Sequence, residues 1–440
     1  MWTYHPELLA TPVPRYTSYP TAAEFRDNIG AIDMGALLDG VAADERLSLY
    51  VHIPFCREIC WYCGCNTGAA NRSHRLNTYM DALEAEAALV ATRLGGRGRI
   101  GRIAFGGGSP NAIPPERWVA LVEQLRTRFD AGTADLSIEV DPRGFDQRWA
   151  DALAQAGVSR ASLGVQTFAP QVQAAIGRVQ PADQIAGTME LLRQAGVSSV
   201  NFDLMYGLPG QTEADLLAAL EGSVALGADR LAVFGYAHVP HLIPRQRRID
   251  GTALAGPEGR FRHARLAHEW LTGQGYVAVG FDHFARPGDP LARAALDGTL
   301  RRNFQGFTDD RAEVLVGLGA SAISAVSTLL AQNEKNNGRY QMRIAGGQLT
   351  AARGIRRSAM DRRRGAAIEA LLCTGAADLA GLPEVKGLRA RLARHEALGL
   401  VGWSGAVLRL TPQALPYARS IAATLDIYRQ PQGVRFSSAV

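Results

Sequence analysis

The stretch YVHIPFCREICWYCGCN, residues 50–66, holds four of the five cysteines of this 440-residue chain: Cys56, Cys60, Cys63 and Cys65. Their spacing is C-x3-C-x2-C-x-C, directly after an apolar run over residues 47–53 that predicts a β-strand. Thiolates placed this close together can converge on one soft metal centre.

Three kinds of site are compatible with such a run of cysteines. A structural zinc site usually uses two separated pairs, and no second pair follows downstream. A disulfide framework needs an oxidising compartment, which nothing in the sequence implies. The third is an iron–sulfur cluster, which takes thiolate ligands in short runs. The rest of the chain decides among them.

Composition narrows the class of protein. Hydrophobic residues make up 47% of the chain and charged residues 20%, as in soluble globular proteins. No apolar run reaches the length of about 18 residues that a membrane span needs. The N-terminus shows no signal-peptide or lipidation pattern, so we expect a cytoplasmic location and no membrane partner. The chain has a net charge of +5, but its basic residues form no stripe with interleaved aromatic residues. We therefore expect no nucleic-acid partner.

From residue 47 the sequence alternates between short apolar runs and amphipathic runs, which predicts repeated βα units and a parallel sheet. The predicted strands span 47–53, 102–105, 136–140, 160–165, 199–205 and 230–236, with a seventh at 276–281 that would extend the edge. The predicted helices span 76–94, 116–129, 146–156, 182–195 and 213–225. Six units predict an α/β fold, a partial and open (β/α)6 barrel, short of the eight units of a closed one.

We divide the chain into three parts. Residues 1–44 form an N-terminal extension over the active site, because they are aromatic and rigid but lack periodicity. Residues 45–350 hold the barrel and a following region in which 280–303 is predicted to be a loop. Residues 351–440 form a small, mainly helical domain with a hairpin at 400–410, similar to a winged helix.

Polar and glycine residues follow the predicted strands where catalytic groups of barrels lie, at the carboxyl ends. The second strand runs into Gly106, Gly107 and Gly108, whose backbone can approach a ligand closely. Glu139 is an acid within an apolar strand and needs a partner. The later strands contribute further polar or small residues, namely Gln166, with Arg178 after it, Asp203 and Ala237.

The C-x3-C-x2-C spacing resembles that of the radical S-adenosylmethionine (radical SAM) enzymes. The resemblance implies a [4Fe–4S] cluster held by Cys56, Cys60 and Cys63, with one iron left for S-adenosylmethionine. Its reductive cleavage gives a 5′-deoxyadenosyl radical. A fourth thiolate would block that chemistry, so Cys65 is expected off the iron.

The wider sequence resembles the oxygen-independent coproporphyrinogen III oxidases. The resemblance rests on motifs from PRYTSYPT (14–21) to FSS (436–438), with these between: YVHIPFC (50–56), CGCN (63–66), GGGSP (106–110), IEVDPR (138–143), DLMYGLP (203–209), DHFARP (282–287) and RNFQG (302–306). The family converts two propionates of coproporphyrinogen III into vinyls, giving protoporphyrinogen IX, as a radical SAM oxidoreductase of haem biosynthesis.

The resemblance also implies roles for individual residues. The cluster-bound S-adenosylmethionine would contact Tyr50, Tyr62, Gly106, Glu139 and Ile323. A second S-adenosylmethionine would contact Gly107, Gly108, Gln166, Arg178, Asp203 and Ala237. Cys65 and Tyr50 are the candidate catalytic residues. Two positions depart from the family pattern: Ser109 replaces a common Thr, and Gly235 stands where a larger polar residue is usual.

The resemblance further implies an electron donor for the cluster and a separate electron acceptor of unidentified chemistry, and we expect a monomer. Because the substrate carries four carboxylates, we expect arginines at the mouth of the barrel, Arg286 among them. Two alternatives stay open. One is a haem-binding chaperone or haem-handling relative, although such relatives lack Cys65, the extension and the 282–287 loop. The other is a purely structural zinc or iron–sulfur protein.

Overall fold

Six parallel strands, each followed in the chain by at least one helix, form the centre of the structure. The computed structural model describes residues 2–70 and 72–429; the FSS motif and the end of the predicted third part lie outside the described residues. The six strands are β1 (Arg46–Ile53), β2 (Arg99–Gly107), β3 (Asp135–Val140), β4 (Arg160–Gln166), β5 (Ser199–Tyr206) and β6 (Arg230–Gly235).

Six further strands extend this sheet at both edges. They are β7 (Val277–Val279), β8 (His283–Ala285), β9 (Val314–Leu318), β10 (Ile323–Val326), β11 (Leu329–Asn333) and β12 (Ala351–Arg356). The strand order is β12-β11-β10-β9-β1-β2-β3-β4-β5-β6-β8-β7. β9 pairs parallel to β1, whereas β10, β11, β12, β8 and β7 pair antiparallel to their neighbours.

The prediction of six parallel strands in an α/β fold is confirmed. At the edges, one prediction is confirmed and one is wrong. The predicted seventh strand does extend the edge, as β7, but β8 lies between it and β6. The predicted loop at 280–303 contains β8, a helix and another strand, because short elements of three to seven residues are set by pairing with distant segments rather than by local pattern.

Helices cover the outer face of the sheet and the two ends of the chain. The α-helices span Pro6–Leu9, Ala31–Asp39, Ser73–Leu94, Pro115–Arg128, Gln147–Ala156, Pro170–Ala175, Ala182–Gln194, Glu213–Ala225, Pro257–Gly273, Pro290–Leu296, Asn337–Ala345, Ala359–Thr374, Val385–Ala397 and Ala418–Ala422. Small sheets pair Phe55–Cys56 with Gly68–Ala69, Arg301–Asn303 with Gly306–Thr308, and Ala376–Asp378 and Val401–Ser404 with Val407–Leu410. In the described part of the chain, no helix is both long and apolar enough to cross a bilayer.

Alternation along the strands decides which side chains face the helices and which face the inside of the curved sheet. The outward positions of β1 and β5 are fully buried in the main core: Leu47, Leu49, Val51, Ile53, Val200, Phe202 and Leu204. Burying each such side chain stabilises the fold by about 1.5–3 kcal/mol. The intervening residues of β5, Asn201 and Asp203, line a cavity together with residues of β2, β3, β4 and β6, so the open sheet curves around that cavity.

A buried carboxylate fixes the added strands β9 to β11 to the helix that follows β1. Glu86, 2% exposed, accepts hydrogen bonds from the backbone N–H of Gly319 at 2.6 Å, the Tyr340 hydroxyl at 2.8 Å and Asn333 Nδ2 at 2.9 Å. Thr350 Oγ1 is the fourth donor, and it bonds the same Glu86 oxygen, Oε1, as Asn333 does. Four donors replace the water that burial removes from this acid, so the 314–350 region has one defined position against the sheet.

The two ends of the chain share a second core. Trp2, Val13, Tyr16 and Tyr19 pack with the helix Ala359–Thr374 and the segments after it. The predicted boundary at 350/351 falls at β12, which pairs with β11, so the large sheet continues past that boundary. The three-part division itself stays a prediction.

An ion cluster lies at the amino-terminal ends of the strands. Asp309 accepts from Arg160 at 2.7 and 3.0 Å and from Arg102 at 3.3 and 3.2 Å, and its side chain is 14% exposed. Burial alone would raise the pKa of Asp309, but the hydrogen bonds from Arg160 and the charge of Arg102 hold it well below its usual range. We call these three residues the floor cluster.

We predict that Asp309→Asn lowers the free energy of unfolding by about 2 kcal/mol, because two partly buried guanidiniums lose their nearest counter-ion and keep only Asp135, 3.9 and 3.8 Å away. Urea unfolding at neutral pH measures the change. The difference should be complete above pH ~4 and shrink as the pH falls towards the lowered pKa of Asp309, since protonation removes the same charge from the wild type.

The exposed pair Asp39–Arg93, 2.6 Å apart with side chains about half exposed (48% and 51%), gives the matched control. Asp39→Asn is expected to change the free energy of unfolding by less than about 1 kcal/mol. Equal effects of the two substitutions would contradict a stabilising role for the floor cluster.

Candidate active site

The cysteine-containing loop begins where β1 ends, and its base is closed by backbone pairing. Gly68 N–H donates to Pro54 O at 2.9 Å and Ala70 N–H donates to Cys56 O at 2.8 Å. Ser109 N–H donates to Phe55 O at 2.7 Å, which ties the loop to the end of β2. The loop is therefore anchored to the ends of two neighbouring strands.

All four cysteines of the loop line one cavity of ≈ 190 Å³, which we call the cluster cavity. Cys60 is buried, Cys56 and Cys63 are half-buried, and Cys65 is exposed. Cys56 Sγ lies 3.1 Å from Thr67 Oγ1, and the backbone N–H of Cys65 donates to Cys63 Sγ at 3.4 Å.

The three thiols of the C-x3-C-x2-C motif differ in their surroundings. Hydrogen bonding from Cys65, aided by the charges of Arg245 and Arg178, lowers the pKa of Cys63 to about 6. Burial raises the pKa of Cys56 to about 11, and hydrogen bonding to Cys63 raises that of Cys65. Cys60 Sγ accepts from Arg178 Nη1 at 3.2 Å and from Arg143 Nη2 at 3.3 Å.

The donor set fits an iron–sulfur cluster better than a single ion. Within residues 2–70 and 72–429, no group of three or more His, Cys, Asp or Glu side chains is arranged to hold one metal ion. A four-iron cluster is larger, because each thiolate binds a different iron, and it prefers soft sulfur donors. Four thiols line one cavity, and two cationic side chains, Arg143 and Arg178, contact Cys60 Sγ. The residues present therefore meet that requirement.

Asp141 and the two arginines beside Cys60 form an ion cluster that the sequence analysis left unassigned. Asp141 accepts from Arg143 Nη2 at 2.7 Å and from Arg178 at 3.3 Å. Burial alone would raise the pKa of Asp141, but Arg178 and Arg143 lower it. Arg178 Nη2 also donates to Gly164 O at 2.6 Å, which joins β4 to the cysteine loop.

The glycine turn after β2 makes the backbone approach its neighbours closely. At Gly107, φ is 116° and an added Cβ would lie 2.5 Å from the His52 ring, so only glycine fits without displacement. The N–H of Gly107 donates to Glu139 Oε2 at 3.0 Å. This backbone N–H is a hydrogen-bond partner of the kind that the sequence predicts for Glu139.

Two carboxylates face the space inside the sheet. Glu139 is open to the cluster cavity, yet the surrounding protein replaces bulk water, and this burial raises its pKa to about 7. Asp203 accepts from Ser162 Oγ at 3.0 Å and Asn201 Nδ2 at 2.8 Å, and burial raises its pKa as well. Such oxygens can accept hydrogen bonds from a ribose diol or an ammonium group.

The structure brings most of the predicted site residues together, but not all. The predicted residues on the cluster cavity are Cys56, Cys60, Tyr62, Cys63, Cys65, Gly107, Gly108, Glu139, Gln166, Arg178 and Asp203. Among the described residues, Tyr50, Gly106, Ala237 and Ile323 lie outside its lining. Gln166 has φ 66°, a conformation rare for side chains other than glycine, at the end of β4.

Tyr50 and Ala237 make contacts next to that cavity. The Tyr50 hydroxyl lies 3.1 Å from His52 Nδ1. Ala237 O accepts from Gln246 Nε2 at 3.0 Å, and the same amide donates to Tyr62 O at 2.9 Å. Gln246, which is 1% exposed, therefore links the cysteine loop to the end of β6. The sequence analysis missed this role because Gln246 is 184 residues away from Tyr62, and no local pattern indicates such a contact.

The structure explains Gly235 and corrects Arg286. An added Cβ at Gly235 would lie 2.9 Å from Arg260 Nη2 and 3.0 Å from the Tyr206 hydroxyl, so these groups fill the place of a larger side chain. Arg286 donates to Ala228 O at 3.2 Å, before the first residue of β6 and thus at the end of the strand away from the cysteine loop. The prediction of Arg286 at the mouth is wrong.

A second cavity of ≈ 300 Å³, which we call the inner cavity, continues from the cluster cavity towards the floor cluster. The two share Glu139, Ser162 and Asp203 in their walls. His283, Phe307 and Gln305 line the inner cavity from outside the six central strands. A substrate in the inner cavity would therefore adjoin a cofactor held at the cluster cavity.

Comparison with known proteins agrees with this geometry. The Radical SAM superfamily matches residues 50–221. Oxygen-independent coproporphyrinogen III oxidase of Bradyrhizobium diazoefficiens is 41% identical over 439 residues, covering 97% of each chain. The protein of that name from Escherichia coli is 39% identical over 370 residues, covering 83% of this chain and 80% of its own.

A solved structure, the radical SAM enzyme coproporphyrinogen III oxidase from Escherichia coli, superposes with a TM-score of 0.90 at 34% identity. The superposition covers 97% of this chain and 100% of that chain. The likeness includes both ends of the fold and is not confined to the cysteine loop. The chain therefore belongs to the oxygen-independent coproporphyrinogen III oxidase family of the radical SAM superfamily.

Proposed function

We propose that this protein converts two propionate side chains of coproporphyrinogen III into vinyl groups without oxygen, releasing CO2 and giving protoporphyrinogen IX. The observation that carries the proposal is the junction of the two cavities: a set of thiols suited to a cluster opens on the space that would hold a substrate. Membership of the family supplies the reaction.

The cofactors follow from the family and from the thiols. Cys56, Cys60 and Cys63 would hold the [4Fe–4S] cluster, while Cys65, which is exposed and whose backbone N–H donates to Cys63 Sγ, would stay off the iron. When bound, the cluster supplies the electron that cleaves S-adenosylmethionine to a radical able to remove hydrogen from the propionate β-carbon. Loss of CO2 and transfer of one electron to an acceptor then leave the vinyl group.

In this proposal, residues of the chain bind and orient the S-adenosylmethionine molecules. For the first S-adenosylmethionine we assign Tyr50, Tyr62, Gly106, Glu139 and Ile323, of which Tyr62 and Glu139 line the cluster cavity. For a second molecule we assign Gly107, Gly108, Gln166, Arg178, Asp203 and Ala237. The separate anchoring of Glu139 by backbone and of Asp203 by side chains supports two binding positions.

Arg143 and Arg178 stabilise negative charge at Cys60, since both donate to its sulfur. Trp61 N–H donates to Ile176 O at 3.0 Å and holds the cysteine loop against the helix after β4. Excluding water and oxygen prevents side reactions of a radical, which is the protein's share in such chemistry.

The function is tested by anaerobic turnover. The protein, reconstituted with iron and sulfide, is given coproporphyrinogen III, S-adenosylmethionine, a reductant for the cluster and an added electron acceptor, and the porphyrins and CO2 are measured. We expect protoporphyrinogen IX with two CO2 per product. Tight haem binding without turnover would instead support the haem-handling alternative.

The ligand assignment is tested by single serine substitutions at Cys56, Cys60, Cys63 and Cys65. The first three should each remove most of the iron and abolish cleavage of S-adenosylmethionine, because a site of three thiolates has no spare ligand. Cys65→Ser should keep the iron content of the wild type, which is measured by metal analysis and visible absorbance.

Cys373→Ser provides the matched control, since Cys373 is a buried thiol in the helix Ala359–Thr374, away from the loop. It should keep both iron and activity. Loss of iron in Cys65→Ser equal to that in Cys60→Ser would show that all four thiols hold the cluster, and the proposed chemistry would be wrong.

The second cofactor position is tested by S-adenosylmethionine binding. Asp203→Asn should weaken one of two binding events by about 10- to 100-fold, because a charged acceptor is replaced by a neutral one. Equilibrium dialysis of the reconstituted protein measures the number of molecules bound. The exposed Glu116→Gln is the control, and a wild type that binds only one molecule contradicts the second position.

A further inference from the structure

His283 lines the inner cavity from outside the six central strands, and no role is yet assigned to it. It is the first residue of β8 and pairs with Ala232 of β6. The side chain of His283 is 13% exposed, and His283 lines the same cavity as Glu139 and Asp203. The imidazole is therefore part of the cavity wall and not of the core.

The orientation of the imidazole is set by its neighbour. His283 Nδ1 lies 2.7 Å from Asp282 Oδ1, and the structure gives Nε2 no hydrogen-bond partner among the described residues. A carboxylate at Nδ1 fixes the proton there, which leaves Nε2 for a ligand. When the ring is protonated, Nε2 presents an N–H donor and the ring carries a positive charge.

Two aromatic rings hold the imidazole in place. Phe234 meets it edge-on, with centroids 5.4 Å apart and an angle of 76°, and Phe307 does the same at 5.3 Å and 84°. Both rings also line the inner cavity. Rotation of the imidazole would break both contacts, so Nε2 keeps one direction, which favours a directional hydrogen bond.

Asp282 is supported from behind by arginines. Burial alone would raise the pKa of Asp282, but His283, Arg302 and Arg15 lower it. The hydrogen bonds of those two guanidiniums end on backbone carbonyls: Arg15 donates to Gly235 O at 3.1 Å, and Arg302 to Arg15 O at 3.1 Å and Tyr16 O at 3.2 Å. No bonded carboxylate in the described chain therefore competes with Asp282 for their charge.

Acids and a base share the inner cavity. Glu139 and Asp203 line the wall that it shares with the cluster cavity, and His283 pairs with Ala232, the residue of β6 that also pairs with Asp203. Arg302 and Arg15 place positive charge behind Asp282, the partner of His283. We propose that His283, oriented by Asp282, is a carboxylate-binding residue of the inner cavity that receives one propionate of the substrate. The inference rests on the proposed function, because it assigns a contact within that substrate site.

Binding of a stable porphyrin to the protein without iron or S-adenosylmethionine tests the inference. The probe is coproporphyrin III, whose fluorescence reports binding, compared with its tetraamide, in which every carboxylate is replaced by an uncharged amide. The wild type should prefer the acid. His283→Gln should weaken binding of the acid by about 10- to 100-fold and leave the tetraamide unchanged, since only a charge-assisted hydrogen bond is lost.

His268→Gln is the matched control, because His268 stacks on Trp2 at 4.4 Å and packs against Phe284, outside the residues that line the inner cavity. It should bind both probes as the wild type does. Asp282→Asn should weaken binding of the acid less than His283→Gln, since it disturbs the orientation of the ring and keeps the ring itself. In the loaded enzyme, His283→Gln should raise KM for coproporphyrinogen III with little change in substrate-free cleavage of S-adenosylmethionine.

The outcomes separate this inference from the proposed function. If the wild type neither binds coproporphyrin III nor turns over coproporphyrinogen III, the proposed function fails and the inference with it. If the wild type binds the acid and His283→Gln binds it equally well, only the inference is overturned. It is also overturned if His283→Gln weakens S-adenosylmethionine binding alone, which would assign the imidazole to a cofactor carboxylate, or if His268→Gln has the same effect as His283→Gln.

Discussion

The ion cluster of Asp141, Arg143 and Arg178 is the interaction on which the site depends. It joins the end of β3, the segment after β4 and the cysteine loop, and both guanidiniums reach Cys60 Sγ. Guanidiniums hold thiolate charge inside a protein, and Asp141 keeps the two cations from repelling each other. This ion cluster is the charged link between the loop and the later strands, and it acts beside the hydrogen bonds that Trp61 N–H donates to Ile176 O and Gln246 Nε2 donates to Tyr62 O.

The parallel sheet makes this arrangement possible through a simple division of its two faces. Outward positions of the strands are apolar and build the core with the helices, so the inward positions are free to be polar. Glycine, carboxylate, amide and hydroxyl groups consequently meet in one space, although they come from five strands spread over more than 130 residues of sequence. The floor cluster closes that space at the other end of the strands, where both of its guanidiniums pair with Asp309.

The sequence predicts the central strands well because their signal is local, and it fails where structure comes from distant contacts. The apolar run at 199–205 needs no partner to be recognised, and β5 spans Ser199–Tyr206. In contrast, β8 has three residues and exists through pairing with β6 and β7. Gln246 and Glu86 act through partners about 180 to 260 residues away, and Arg286 was misplaced because a sequence gives no direction for a side chain. Motif residues such as Glu139 were found because acids rarely occur inside apolar strands.

The N-terminal extension is bound to the C-terminal segment more closely than a mobile cover would be. Trp2 Nε1 donates to Pro412 O at 3.2 Å, and the Tyr417 hydroxyl donates to Thr3 O at 2.6 Å while accepting from His5 N–H. Tyr16 reaches Asp426 at 3.0 Å. These contacts bury aromatic rings of the extension in the second core that it shares with the C-terminal segment. Arg15, which closes over Phe234 beside the inner cavity at 5.0 Å, therefore takes its position from the far end of the chain.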